Sequence, residues 1–285
     1  MYPQLLFVNK KAIKLLIDQY LDVAFGNFTN NGKIAGIEVK KVPVYQGGYN
    51  QKILYVSKVA LGALKSHNSP AMEISQVIAS FTKDVAQYLS QHCNHLFSIK
   101  IVSPGEIHLQ LFDSTLAAWL QSLIVSPQNG ELVNNYADHL SPNCFTIQYA
   151  HARCCSLLQK ARQEGLIQCT PTRTGMENSV QSIPWLNGDQ KLYLHHSDES
   201  FLIYQLVKVV DDLNTTSSNS INWIKAGEKL SQAFERFWGS CRIWGEVKIN
   251  TPELAQARLG LMMATQVVLK LVLEEQLGII APREI

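Results

Sequence analysis

The chain has 285 residues, 46% of them hydrophobic and 17% charged, which excludes a disordered, charge-dominated protein and allows one large or two ordinary domains with real cores. A formal net charge of +2 excludes a general nucleic-acid coat but leaves room for a partner gripped through a local patch. No run of about 18 uninterrupted apolar residues occurs, the first 15 residues lack the order of a signal peptide, and a soluble cytoplasmic protein is expected.

In chain order, residues 10–25 place Ile13, Leu16, Ile17, Tyr20, Leu21, Ala24 and Phe25 at the recurrence of an amphipathic helix. After Asn31-Gly32, residues 37–40 alternate like a half-buried strand that Val42-Pro43-Val44 ends, since proline cannot donate to a ladder. Helices are expected at 52–66 and 71–91, the second capped by Ser69 with Pro70 in its first turn. Strands at 97–102 and 106–112 would be joined by Ser103-Pro104-Gly105, giving an α+β unit over residues 1–112.

From Ser114 onward strand-like alternation disappears. Helices are expected at 115–124, 145–164, 197–213, 220–238 and 252–277, with 170–190 as a loop and 214–220 as a polar helix connection. Thr251 can cap the last helix, Pro252 suits its first turn and Gly278 its stop; Leu254, Ala257, Leu261, Ala264, Val268 and Leu271 make its apolar stripe. The fold class read here is therefore an α+β domain followed by an all-α helical bundle.

The search for an active centre is negative: no GxGxxG, no GxxxxGK[ST], no HExxH and no GxSxG occurs. The six cysteines show neither a CxxC pair nor a histidine at metal-ligand spacing, so they are read as reduced thiols, and no metal or cofactor is expected. His195-His196 with Asp198-Glu199 could suggest a metal or acid/base cluster, but it reads more simply as a solvated helix start whose carboxylates favour the dipole. Gly47-Gly48 is read as a turn rather than a phosphate cradle.

The informative run is Phe145-Thr146-Ile147-Gln148-Tyr149-Ala150-His151-Ala152-Arg153, followed by Cys154-Cys155-Ser156-Leu157-Leu158. It resembles the first helix of the DALR-type anticodon-binding domain of arginyl-tRNA synthetases, where Gln-Tyr-Ala-His-Ala-Arg precedes a small residue and Ser-Ile/Leu-Leu. Phe234-Glu235-Arg236-Phe237-Trp238 with Cys241-Arg242-Ile243, Ala257-Arg258-Leu259-Gly260-Leu261, and Leu277-Gly278-Ile279 with Pro282-Arg283-Glu284 are similar to later segments of that domain, in the same order. In the N-terminal unit, Tyr45-Gln46-Gly47-Gly48-Tyr49, residues 70–78 and residues 103–109 resemble the family's additional domain, which recognises the tRNA elbow. Gly48 and Lys52 stand where the family has Asp and Asn, so no elbow contact carries over to those two positions.

The resemblance implies a truncated relative in which residues 113–144 replace the catalytic domain and 145–285 form the anticodon-binding domain. The family's His-Ile-Gly-His and Lys-Met-Ser-Lys tetrads occur nowhere in the chain, so binding of tRNA without catalysis is expected. Unpaired bases are held by aromatic stacking and their phosphates by cations, and with the resemblance this nominates Gln148, Tyr149, Arg153, Arg242, Trp244, Arg258 and Arg283 as tRNA-binding residues. Tyr149 could instead belong to the core, and Arg153 and Arg258 could be structural salt-bridge partners. A competing reading is a protein-interaction or regulatory module that has lost tRNA binding, and a third is a trans-acting partner of a synthetase.

Overall fold

A strand half buried against a core alternates its side chains, and residues 106–111 do so: Ile107, Leu109 and Leu111 are buried while Glu106, His108 and Gln110 are partly exposed. The structure, a computed structural model, describes residues 12–30, 44–47, 52–58, 71–103, 105–125, 144–167, 169–171, 178–180, 182–214 and 221–285. Its contacts separate a unit comprising residues 12–115 from one that begins at Leu116.

The first unit contains α1 (Ile13–Asn30), β1 (Val44–Gln46), β2 (Leu54–Ser57), α2 (Ala71–His92), β3 (Phe97–Val102) and β4 (Glu106–Leu111). The strands form an antiparallel sheet in the order β1-β2-β4-β3. Its register sets Tyr55 and Ile99 beside Leu109, and Phe97 beside Leu111, so the apolar residues share one face. Ile13, Ile17 and Leu21 of α1 and Phe81, Val85 and Leu89 of α2 fill the core, and Phe25 meets Phe81 edge-on at 5.2 Å.

The helix expected at 52–66 is corrected: residues 54–57 are strand β2, paired along both edges. Leu54, Tyr55 and Val56 suit a helix turn or a strand by pattern alone, and the ladder with β4 decides between them. Val44, expected to lie at a strand's end, opens β1. The expected strand at 37–40, the Ser69-Pro70 cap, Gly48 and Pro104 lie outside the described residues, as does the rest of the expected helix beyond residue 58.

The division falls in the first turn of α3 (Asp113–Val125), and the second unit continues with α4 (Phe145–Gln163), β5 (Cys169–Pro171), β6 (Asn178–Val180), α5 (Ser197–Leu213), α6 (Trp223–Ser240), α7 (Glu246–Asn250) and α8 (Pro252–Leu271). A π-helical turn, Val272–Gln276, extends α8. The β5–β6 hairpin lies where a loop was expected, and the short α7 was not anticipated. Helix α4 packs on α6 and α8, and α5 on the same two helices.

Helix α8 is the core element. Ala255, Ala257, Leu259, Leu261, Met262, Ala264, Val268 and Leu269 are all buried, covering more of its circumference than the expected stripe. By length and composition Pro252–Gln276 could cross a membrane, but 67% of its most apolar window is buried within the fold, as for a core helix. Gly260 permits a close approach: a Cβ there would lie 2.6 Å from Cη2 of Trp185 and 2.9 Å from Cγ2 of Ile183. That tryptophan is fixed from behind, because its indole N–H donates to Oε1 of Gln121 at 2.9 Å.

Two expected caps behave differently. Thr251 does not cap α8 by its side chain; its hydroxyl donates to the Val247 carbonyl at 3.2 Å, closing α7 instead. Gly278 does stop the last helix, at φ 65°, a conformation open to glycine. The tail then returns to α4, where Nδ1–H of His151 donates to the Pro282 carbonyl at 2.8 Å and Gln266 lies 2.9 Å from Nε2. With Nδ1 carrying the proton, Nε2 accepts from the Gln266 amide, so the ring is neutral.

Gly260→Ala is expected to lower stability by about 1–3 kcal/mol through overpacking on an immobile ring. Gly239→Ala, which meets nothing within 4 Å, should be neutral or stabilise by about 0.4–1 kcal/mol; denaturant midpoints compare the two. Burial holds the pKa of His151 below its ordinary 6.5, against the favourable bond to Pro282. The unfolded chain therefore takes up this proton first, and the histidine's contribution, complete above about pH 6.5, is lost as pH falls from there through the folded value. Unfolding measured across pH 4–8 should show this loss in the wild type and less of it in His151→Gln.

Candidate nucleic-acid interface

Residues four apart on a helix stand one above another, and α4 uses this spacing on its open side for Phe145, Tyr149 and Arg153. Phe145 and Tyr149 are 46% and 39% exposed, and their rings stack with centroids 6.0 Å apart and planes 25° from parallel. The Arg153 guanidinium donates to the Tyr149 hydroxyl at 2.8 Å and lies 5.9 Å from that ring and 5.6 Å from the ring of Trp238 on α6. Trp238 meets Trp244 edge-on at 5.8 Å. Lys160, further along α4, sits 5.1 Å over the Trp244 ring. The result is a continuous run of ring, ring, cation, ring, ring and cation along one surface.

The end of the run is pinned by Glu164, just past α4. One of its carboxylate oxygens accepts from the Trp244 indole N–H at 3.0 Å and from Lys248 at 2.8 Å. The Lys248 bond, chiefly, holds this carboxyl below its ordinary range. The Nε of Arg153 is buried with no hydrogen-bond partner among the described residues.

The nominated residues divide into groups. Tyr149, Arg153 and Trp244 are brought together in the run, and Arg242 is exposed two residues before Trp244. Gln148 is only 2% exposed, on the core side of α4. Arg283 belongs to the tail, beside Arg162 rather than beside Tyr149.

Arg258 is committed inward. Its Nε donates to the fully buried Glu199 carboxylate at 2.6 Å, and a terminal nitrogen donates to the Arg242 carbonyl, fixing the turn that carries Trp244. Phe145, Trp238 and Lys160 were not nominated from the sequence. The i, i+4 spacing of Phe145 and Tyr149 was the available signal for one of them, whereas Trp238 joins only through packing of α6 on α4.

The segment 195–199 also takes definite roles. His196 caps α5, accepting from the Asp198 N–H at 3.2 Å, while Glu199 accepts from the His196 N–H at 2.7 Å, a reciprocal capping box. Asp198 accepts from Ser240 at 2.8 Å and Arg236 at 2.7 Å, and the Ser240 bond leads in holding its carboxyl below the usual range. The expectation of a solvated start is corrected at Glu199, which is 0% exposed and paired. Arg258→Met would leave that carboxylate buried without its counter-charge. A loss of about 3–5 kcal/mol is expected, read by denaturant unfolding, with Glu199→Gln in the same chain recovering part of it.

Residues 147–285 match the family model of the DALR anticodon binding domain. The arginine–tRNA ligase of Synechococcus sp. (strain JA-3-3Ab) is 32% identical over 170 residues, covering 58% of this chain and 26% of the relative. Those of Salinibacter ruber and Gloeobacter violaceus are 33% and 31% identical, each over 49% of this chain and over 21% and 22% of their own lengths. The matches thus span about a quarter of the length of these curated relatives. Residues 147–285 belong to the DALR anticodon binding domain family, and the C-terminal half of the chain is homologous to arginine–tRNA ligases.

Proposed function

We propose that this chain binds tRNA without chemistry of its own, holding unpaired anticodon nucleotides on the run from Phe145 through Tyr149, Arg153 and Trp238 to Trp244. The observation that carries this reading is the succession of exposed and half-buried rings with cations between and beside them along α4, the end of α6 and the turn that follows it. Every base has a π-face that such a surface can accept, and guanidinium and ammonium groups accept the phosphates between them. A base laid on Trp244 takes the place of the Lys160 ammonium and releases it to a phosphate. Arg242, whose side chain has no partner among the described residues, adds a second cation at this end.

In this proposal Gln148 and Arg258 support the surface from beneath, and Tyr149, Arg153, Arg242 and Trp244 make the contacts. Arginine is the amino acid in the relatives' names, so arginine-accepting tRNA is the preferred ligand proposed. The unit comprising residues 12–115 is assigned to the elbow of the tRNA, on the sequence likeness at 70–78 and 103–109. Binding without catalysis is supported by the sequence, in which neither nucleotide-handling tetrad of the synthetases occurs.

The test is binding of the full chain to a panel of tRNAs across a salt series, with Tyr149→Ala and Trp244→Ala beside the wild type. Preferential binding of arginine-accepting tRNA, a steep salt slope and a loss of about 1–3 kcal/mol per removed ring are expected. Absence of binding above the non-specific level at physiological salt would overturn the proposal and leave the helical unit as a protein-interaction module.

A further inference from the structure

Helix α4 has a second open side. Cys155, Leu158, Gln159 and Arg162, at i, i+3, i+4 and i+7, lie on a different side of the helix from Tyr149 at 3.6 residues per turn. They face Gln266 of α8 and Arg283 and Glu284 of the tail across a cleft of about 550 Å³. Such a volume falls within the range of about 300–1,000 Å³ typical of small-molecule sites.

The charge in this cleft is unspent. Arg153, Arg236 and Arg258 each engage a named acceptor within the fold. The side chains of Arg162 and Arg283 have no hydrogen-bond or ion-pair partner among the described residues, although both line one concavity. Both also act on the same point: burial pushes the Cys155 thiol up, opposed first by the hydrogen bond with Gln266 and then by the charges of Arg283, Arg162 and Lys270. The uncharged part of the lining includes the Cys155 thiol, Leu158 and the Gln266 amide, with the neutral His151 behind them, 3.8 Å from Cys155 Sγ.

We propose that this cleft is a phosphate site, in which Arg162 and Arg283 grip the phosphate of a nucleotide-sized monoester while Glu284 and the amides of Gln159 and Gln266 take hydroxyl and amide edges of the attached group. Two guanidiniums match a group carrying about −1.5 to −2 charge at pH 7, and their planar forks suit its oxygens. A single carboxylate carries one negative charge and would leave one of the two positive charges uncompensated. Glu284 would repel a bare anion but accepts hydrogen bonds from the hydroxyls of a sugar. The phosphate can come from a free mononucleotide or from the end of an RNA strand, which share this chemistry.

The test is isothermal titration of the full chain with adenosine 5′-monophosphate and, as the phosphate-free control, adenosine. A second pair is a short RNA with and without its 5′-phosphate. Saturable binding of a phosphorylated probe is expected, weakened about tenfold or more by loss of the phosphate or by Arg162→Gln or Arg283→Gln, with circular dichroism unchanged. Tyr149→Ala and Trp244→Ala should leave the difference between phosphorylated and phosphate-free probes unaltered, which separates this site from the tRNA surface. Binding of only the phosphorylated RNA, still lost in Arg162→Gln, assigns the phosphate to a strand end. Equal binding of phosphorylated and phosphate-free probes, no binding of either phosphorylated probe, or full binding by the doubly substituted chain would overturn the proposal.

Discussion

Glu199 is a carboxylate removed entirely from solvent, and the means by which it is satisfied organises the helical unit. An isolated buried carboxylate costs several kcal/mol even after relaxation. Here one oxygen closes the capping box of α5 and the other accepts from Arg258 of α8, whose free nitrogen reaches the Arg242 carbonyl. Three segments distant in sequence are thus tied to one charge: the start of α5, the middle of α8 and the turn leading to Trp244. Such an arrangement specifies geometry more than it adds stability, since an apolar replacement of similar volume would satisfy the same space. Its consequence for function is positional, because the turn it fixes carries one end of the aromatic surface.

Helix α4 shows how one element serves three environments. Ile147, Ala150, Cys154, Leu158 and Ala161 enter the core. Phe145, Tyr149, Arg153 and Lys160 line the aromatic surface, and Cys155, Gln159 and Arg162 line the polar cleft. Little apolar surface is left for the core, so α4 depends on α6 and α8 for its burial, and those helices in turn contribute Trp238 and Gln266 to its two open sides. The low net charge of the chain is compatible with this, because a few cations on one surface can act as a local patch whatever the overall balance.

Most helices were legible from their apolar periodicity. Residues 197–213 were bounded correctly by polar starts and an apolar repeat, and residues 97–102 by β-branched alternation between turns. The helix expected at 52–66 failed at Leu54-Tyr55-Val56-Ser57 because a short apolar run suits either period, and only the partners on β1 and β4 decide. The hairpin at Cys169–Pro171 and Asn178–Val180 was read as a loop because three-residue strands carry too few residues to show alternation.

At the candidate site, the sequence by itself determined the inventory: the Gln148–Arg153 run, the tryptophans and arginines, and the spacing that stacks Phe145 on Tyr149, because local helix geometry follows from residues four apart. It also determined the likeness to the anticodon-binding family, which residues 147–285 bear out. Only the tertiary structure decided which of those residues face outward together. Arg153 and Arg258 look alike in sequence, yet one lies between rings at the surface and the other neutralises a buried acid. Trp238 and Arg283 were likewise assigned to different surfaces by the packing of α6 and the return of the tail onto α4, contacts between residues far apart in the chain that no local pattern encodes.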